Sequence, residues 1–109
     1  MDKKNQFNQE LQELAGFAKL VSHPARLQIL EFLAEQKSCL GGDISNHLPL
    51  AASTVSQHLK ELKAGGLISG TVDGTKICYC INAQTMKTFS EIFNQKFGNI
   101  IQCCETECC

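Results

Sequence analysis

The sequence predicts a mainly α-helical domain carrying a β-hairpin, and three observations predict it. Apolar residues recur at threes and fours along most of the chain, the spacing of one helix face. Between residues 67 and 81 the period drops to two, with Asp73-Gly74 in the middle as a hairpin signal. From Ala83 onward the helical period returns. At 109 residues the chain makes one domain.

The first helix is read from Phe7, Leu11, Leu14, Ala18 and Val21, an amphipathic series of about four turns. Ser22 is expected to cap the next helix, with Pro24 in its first turn, where a missing N–H costs nothing. That helix carries Leu27, Leu30 and Leu33, and Ile29 and Phe32 widen its stripe. Apolar over so much of its surface, it is expected at the centre. A loop from Lys37 to Gly42 follows and contains Cys39.

Residues 43–67, D-I-S-N-H-L-P-L-A-A-S-T-V-S-Q-H-L-K-E-L-K-A-G-G-L, read as two helices joined by a turn. Ile44 and Leu48 edge the first, and Pro49 stops it. Val55, Leu59 and Leu62 form the apolar face of the second, closed by Gly65-Gly66. Its outward face is Ser53, Thr54, Ser56, Gln57, His58, Lys60 and Lys63. Hydroxyls, an amide, an imidazole and amines suit a helix laid in a DNA major groove. A solvated face with no partner has the same composition. The hairpin that follows separates the two. Leu67–Val72 and Lys76–Ile81 are its strands, with Ile77, Tyr79 and Ile81 on one face and Cys78 and Cys80 on the other.

A last helix carries Met86, Phe89, Phe93, Phe97 and Ile100. Helix, helix, helix, turn, helix, hairpin, helix is the winged helix-turn-helix order. A wing directly after a polar-faced helix favours double-stranded DNA as partner. It would set Lys76 and the Gly74 N–H near phosphates, which position without reading sequence. The apolar stripes of the first and last helices exceed what one small core needs, so a homodimer through those helices is expected.

The net charge of −1 makes this no polycation, so DNA binding has to rest on a local patch. The opening M-D-K-K-N-Q-F-N-Q-E is polar, with no signal-peptide pattern, and no run is long enough to span a membrane. A cytoplasmic location with no membrane partner is expected. Seven cysteines in such a chain point to metal or redox chemistry rather than a disulfide framework. Four of them crowd into residues 103–109, so the chain divides into a domain at 1–102 and a cysteine-rich sensor tail at 103–109.

Three stretches resemble the arsenical-resistance/metallothionein-repressor family, often written ArsR/SmtB. They are S-H-P-A-R-L-Q-I-L-E-F-L at 22–33, S-T-V-S-Q-H-L-K-E-L-K-A-G-G-L-I at 53–68, and D-G-T-K-I-C-Y-C-I at 73–81. The resemblance covers roughly residues 7 to 102. It implies a homodimeric repressor on an inverted-repeat operator, released by a metal or metalloid. It also makes Ser53, Thr54, Ser56, Gln57 and His58 the groove-facing set. Two of the family's usual sensor sites are missing. Its arsenic-binding C-x-C would fall on Leu40 and Gly42, with Cys39 adjacent but alone. Its zinc site on the last helix needs Asp and His, and residues 83–102 contain neither.

The tail Cys103-Cys104-Glu105-Thr106-Glu107-Cys108-Cys109 is therefore the candidate sensor. Soft thiolates select soft or borderline ions. Trivalent arsenic or antimony bonds three sulfurs in a pyramid, and closing so short a loop costs little entropy. Cys103, Cys104 and Cys108 are the expected ligands, with Cys109 as a substitute, and As(III) or Sb(III) the inducer. Zinc would want four ligands, and the tail holds four cysteines, so zinc, cadmium or lead is an alternative. Cys78 with Cys80 is the runner-up site. Thiol oxidation or persulfide sensing on the same scaffold is a further alternative. A thiol-based reductase is a distant third, because the tail thiols sit at a helix C-terminus beside glutamates, which opposes activation.

Overall fold

The structure is a computed structural model that describes residues 3–36, 44–74 and 76–105. Four helices and one hairpin are arranged as α1 (Gln9–Leu20), α2 (Pro24–Glu35), α3 (Ala52–Ala64), β1 (Ile68–Asp73), β2 (Lys76–Ile81) and α4 (Ala83–Cys103). Single 3₁₀ turns at Lys4–Gln6 and Ile44–His47 complete the order. This is a winged helix-turn-helix.

Caps set the helix starts. The Asn8 side chain accepts from the Glu10 N–H at 2.8 Å, and the Asn82 side chain from Thr85 at 3.2 Å. Before α2 the cap is His23, whose Nδ1 accepts from the Ala25 N–H at 3.0 Å. Ser22, the expected cap, instead donates its hydroxyl to the Lys19 carbonyl at 2.8 Å. Pro24 occupies the first turn, as expected.

The core is built where α2 and α3 meet. Ile29, Leu30 and Leu33 of α2 enclose Val55, Leu59 and Leu62 of α3, with Ile44, Leu48, Leu67 and Ile68 closing the sides. Leu27, placed in the α2 stripe by spacing, is 49% exposed and stays outside. The helix expected over Asp43–Leu48 is a 3₁₀ turn, Ile44–His47, among the described residues. Pro49 keeps Leu48 out of helical geometry, so too few residues remain for a nucleated α-helix. The Leu48 N–H closes the turn on the Ser45 carbonyl.

α3 ends in a Schellman motif. The Leu67 N–H bonds the Leu62 carbonyl at 3.1 Å, and the Gly66 N–H bonds Lys63 at 3.0 Å. Gly66 takes φ +84°, a left-handed geometry that a side chain would strain. Leu67 then turns straight into β1.

The hairpin is antiparallel, pairing Asp73 with Lys76, Val72 with Ile77 and Thr71 with Cys78. Asp73, read as part of the turn, is therefore the last residue of β1, and the turn starts at Gly74, which supplies φ +66°. Alternation holds as read. Tyr79 and Ile81 pack on the core, while Cys78 and Cys80 lie opposite Thr71 and Ser69. The Asn82 N–H bonds the Leu67 carbonyl at 2.9 Å, tying the start of α4 to the start of the wing.

α4 runs for 21 residues and buries none of them fully. It lies against α1 through Phe17–Phe89, with ring centroids 5.1 Å apart, and an ion pair of Lys96 with Glu10 at 3.3 Å. Phe93 and Phe97 stack on each other at 4.5 Å but are 43% and 45% exposed. The radius of gyration, 16.8 Å, exceeds the roughly 13 Å of a compact domain near this length. The excess fits an α4 that extends beyond the core.

Candidate nucleic-acid interface

α3 presents its polar face because its apolar one is fixed. Val55, Leu59 and Leu62 are buried at 2%, 7% and 0% exposure, which pins the helix's rotation. Ser53, Thr54, Ser56, Gln57, Lys60 and Lys63 are consequently all exposed. The Lys63 Nζ lies over Gly70 of β1, near the base of the wing. The Lys76 side chain lies outside the described residues.

Glu61 is the one acidic residue in the α3 sequence. It is drawn off the polar face into an ion pair with Arg26 of α2. An acid facing phosphates would oppose an anionic partner; this one is already neutralised. Arg26 also donates Nη1 to the Leu20 carbonyl at 3.3 Å and Nε to His58 Nδ1 at 3.0 Å. A single guanidinium thus joins the end of α1, the start of α2 and the middle of α3. Its planar fork of donors suits that task better than an ammonium would.

His58 departs from the set in which sequence placed it. It is half-buried and turned toward α2, its ring 4.8 Å from that of His23. Burial first, then the charges of Arg26 and His23, hold its pKa below the ordinary 6.5. A neutral imidazole is required here, because Nδ1 accepts a hydrogen bond from a cation. Sequence spacing pairs His58 with Glu61 on one helical face, but Arg26 lies 32 residues away from His58, and no local pattern announces it.

The cysteines fall in two places. Cys103 ends α4 and Cys104 caps it, exposed. Cys108 and Cys109 lie outside the described residues, as does Cys39. Cys78 and Cys104 are free thiols, whereas Cys80 and Cys103 are disulfide-bonded. Among the described residues no cluster of three metal-ligating side chains is assembled. No described helix is long and apolar enough to cross a membrane.

Residues 23–69 match the model of the bacterial regulatory protein arsR family. The arsenical resistance operon repressor of Staphylococcus xylosus is 31% identical over 81% of this chain and 80% of its own length. The chain belongs to the arsR family. The uncharacterized HTH-type transcriptional regulator Rv0081 of Mycobacterium tuberculosis is 38% identical over 63% of this chain, and the match spans only 60% of that relative's length. Among solved structures, the homodimeric winged helix-turn-helix DNA-binding domain Mb0332 of Mycobacterium bovis superposes with a TM-score of 0.64. It is 27% identical and covers 91% of this chain and 87% of that one. The family match takes in α2, the 3₁₀ turn, α3 and the entry to the wing. It stops before the cysteine-rich tail.

Proposed function

We propose that this chain is a DNA-binding transcriptional repressor, acting as a homodimer and released by a thiol-directed effector. The observation that carries the DNA half is the exposed face of α3, which holds hydroxyls, an amide and two amines while its acid is paired away. Ser53, Thr54, Ser56 and Gln57 reach base edges; Lys60, Lys63 and Lys76 neutralise phosphates. Membership of the arsR family and the likeness to a homodimeric DNA-binding domain support this reading. The exposed Phe93, Phe97, Ile100 and Ile101 of α4, with Leu11 of α1 and Phe7 just before it, form the dimer seam. Two recognition helices would then read half-sites about one DNA turn apart. The work is done in the cytoplasm and involves no catalysis.

As(III) or Sb(III) is the inducer, bound by Cys103, Cys104 and Cys108, with Cys109 as substitute. A relative named for arsenical resistance supports a metalloid. Cys103 must be reduced before it can ligate, since only a thiolate binds. The tail continues from α4, so fixing it would shift one subunit against the other and spoil the half-site spacing. The coupling required is modest, typically about 1–3 kcal/mol. A second reading, thiol-oxidation sensing, is favoured by the disulfide-bonded state of Cys80 and Cys103.

The test is operator release followed by gel shift against As(III), Sb(III), Zn(II), Cd(II) and peroxide in parallel. The full chain should release with the trivalent metalloids under reducing conditions. A chain truncated after Gln102 should bind DNA and stay bound. Release of the truncated chain at the same As(III) concentration would reject the tail as sensor. Release by peroxide alone would favour the second reading.

A further inference from the structure

We propose that His58 is a positioning residue for the recognition helix rather than a base reader: as a neutral imidazole held by Arg26 it seats α3 for DNA, and its protonation undoes that seat. The proposal rests on the DNA-binding reading above. Arg26 makes three polar, directional contacts at the joint of these helices, two to α3 and one to α1, beside the apolar packing that pins α3. Its Nε bonds His58, its Nη2 pairs with Glu61, and its Nη1 bonds the last carbonyl of α1. Beside them the Leu20 methyls lie where a Cβ on Gly65 would sit, so the ends of α1 and α3 are in direct contact.

His58 is the member of this cluster that a proton can switch off on acidification. Once Nδ1 carries a proton it can no longer accept from Arg26. The new charge would also face Arg26 and the His23 ring at the start of α2, and Lys19 of α1 lines a groove with His23, Arg26 and Glu61 beside it. Glu61 gives no relief, since it is engaged by Arg26. Repulsion then falls on the joint that fixes the pitch of α3. Groups on the outward face are untouched.

The sign of the effect makes it diagnostic. Protonating an imidazole in a DNA-binding surface adds positive charge and should tighten phosphate binding. Loosening the seat of α3 should weaken it. The experiment measures affinity for a duplex selected in vitro at about pH 8, then repeats it at about pH 5.5 at constant salt. Affinity of the wild-type chain should fall about fivefold or more, the low end of coupling between linked sites. His58→Asn keeps an acceptor at the Nδ1 position that does not titrate. Whatever its affinity at pH 8, its ratio between the two pH values should approach one. Arg26→Gln should flatten the ratio as well, and His23→Asn, which keeps the helix cap, should retain the wild-type fall. Wild-type affinity that is constant or rises on acidification overturns the proposal. So does a fall that persists in His58→Asn, or a loss of helix by circular dichroism at pH 5.5. Absence of binding at pH 8 rejects the DNA-binding reading itself, and the proposal with it.

Discussion

The α2–α3 half and the α1–α4 half are both made from amphipathic stripes, but they finish in different states. In the first, Ile29, Leu62 and Leu67 are fully enclosed at 0% exposure. In the second, α4 has no buried residue, and Ile100 and Ile101 are 57% and 56% exposed. A stripe is enclosed only when apolar surface meets it on several sides. α3 has α2, the 3₁₀ turn and the wing around it. α4 has α1 beside it, along part of its length and as far as the Lys96–Glu10 ion pair, among the described residues. The first half therefore closes alone, whereas the second leaves apolar surface that the proposed homodimer would close. Apolar surface left unpaired on this scale marks an interaction site.

The contrast can be broken most severely in the closed half. Leu62→Ala should cost about 2–5 kcal/mol, the range for truncating an enclosed leucine. Urea unfolding should show it as a large drop in midpoint, and an unchanged midpoint would mean the core has been misplaced. The open half should respond in association instead. Phe97→Asp should weaken the dimer by about 2 kcal/mol or more, the scale of an interface anchor. Sedimentation at micromolar concentration should then report a monomer with undiminished helix content. If the dimer survives, the seam lies elsewhere.

A smaller effect sits at the junction between helix and wing. Gly66→Ala forces a side chain into φ +84° and should cost about 1–2 kcal/mol. Thermal melting would register it, and the same change at Gly98, inside α4 with open space around it, should register no loss. The smallest effect is the pH dependence of stability from His58. Its folded pKa is depressed, so the unfolded chain takes up the proton more readily. Its contribution is whole above the ordinary 6.5 and is lost as pH falls through the folded value. Urea midpoints of wild type and His58→Asn should diverge on acidification, with the wild type losing more.

Much of this was legible in the residues. Val55, Leu59 and Leu62 announced the buried face of α3, and that face alone dictates which side chains are turned outward. Alternation after Gly66 announced the wing and put Cys78 and Cys80 on one side, because a strand's period is two whatever it packs against. Pro24, Pro49 and the paired glycines marked boundaries through backbone geometry that needs no tertiary partner. The tail's cysteines stood out by composition, though composition carries no geometry.

Tertiary structure decided the rest. Periodicity says which residues share a face, never which neighbour that face will meet. Leu27 had the right spacing and stayed exposed, outside the core that the described residues form. His23 took the cap from Ser22 because its Nδ1 reaches the Ala25 N–H, while the Ser22 hydroxyl turns back to the Lys19 carbonyl. His58 lies in the polar series of α3, yet Arg26 claims it from a different helix. A hydrogen bond between residues 32 positions apart depends on how two helices cross, and that crossing is fixed only when the whole core is packed.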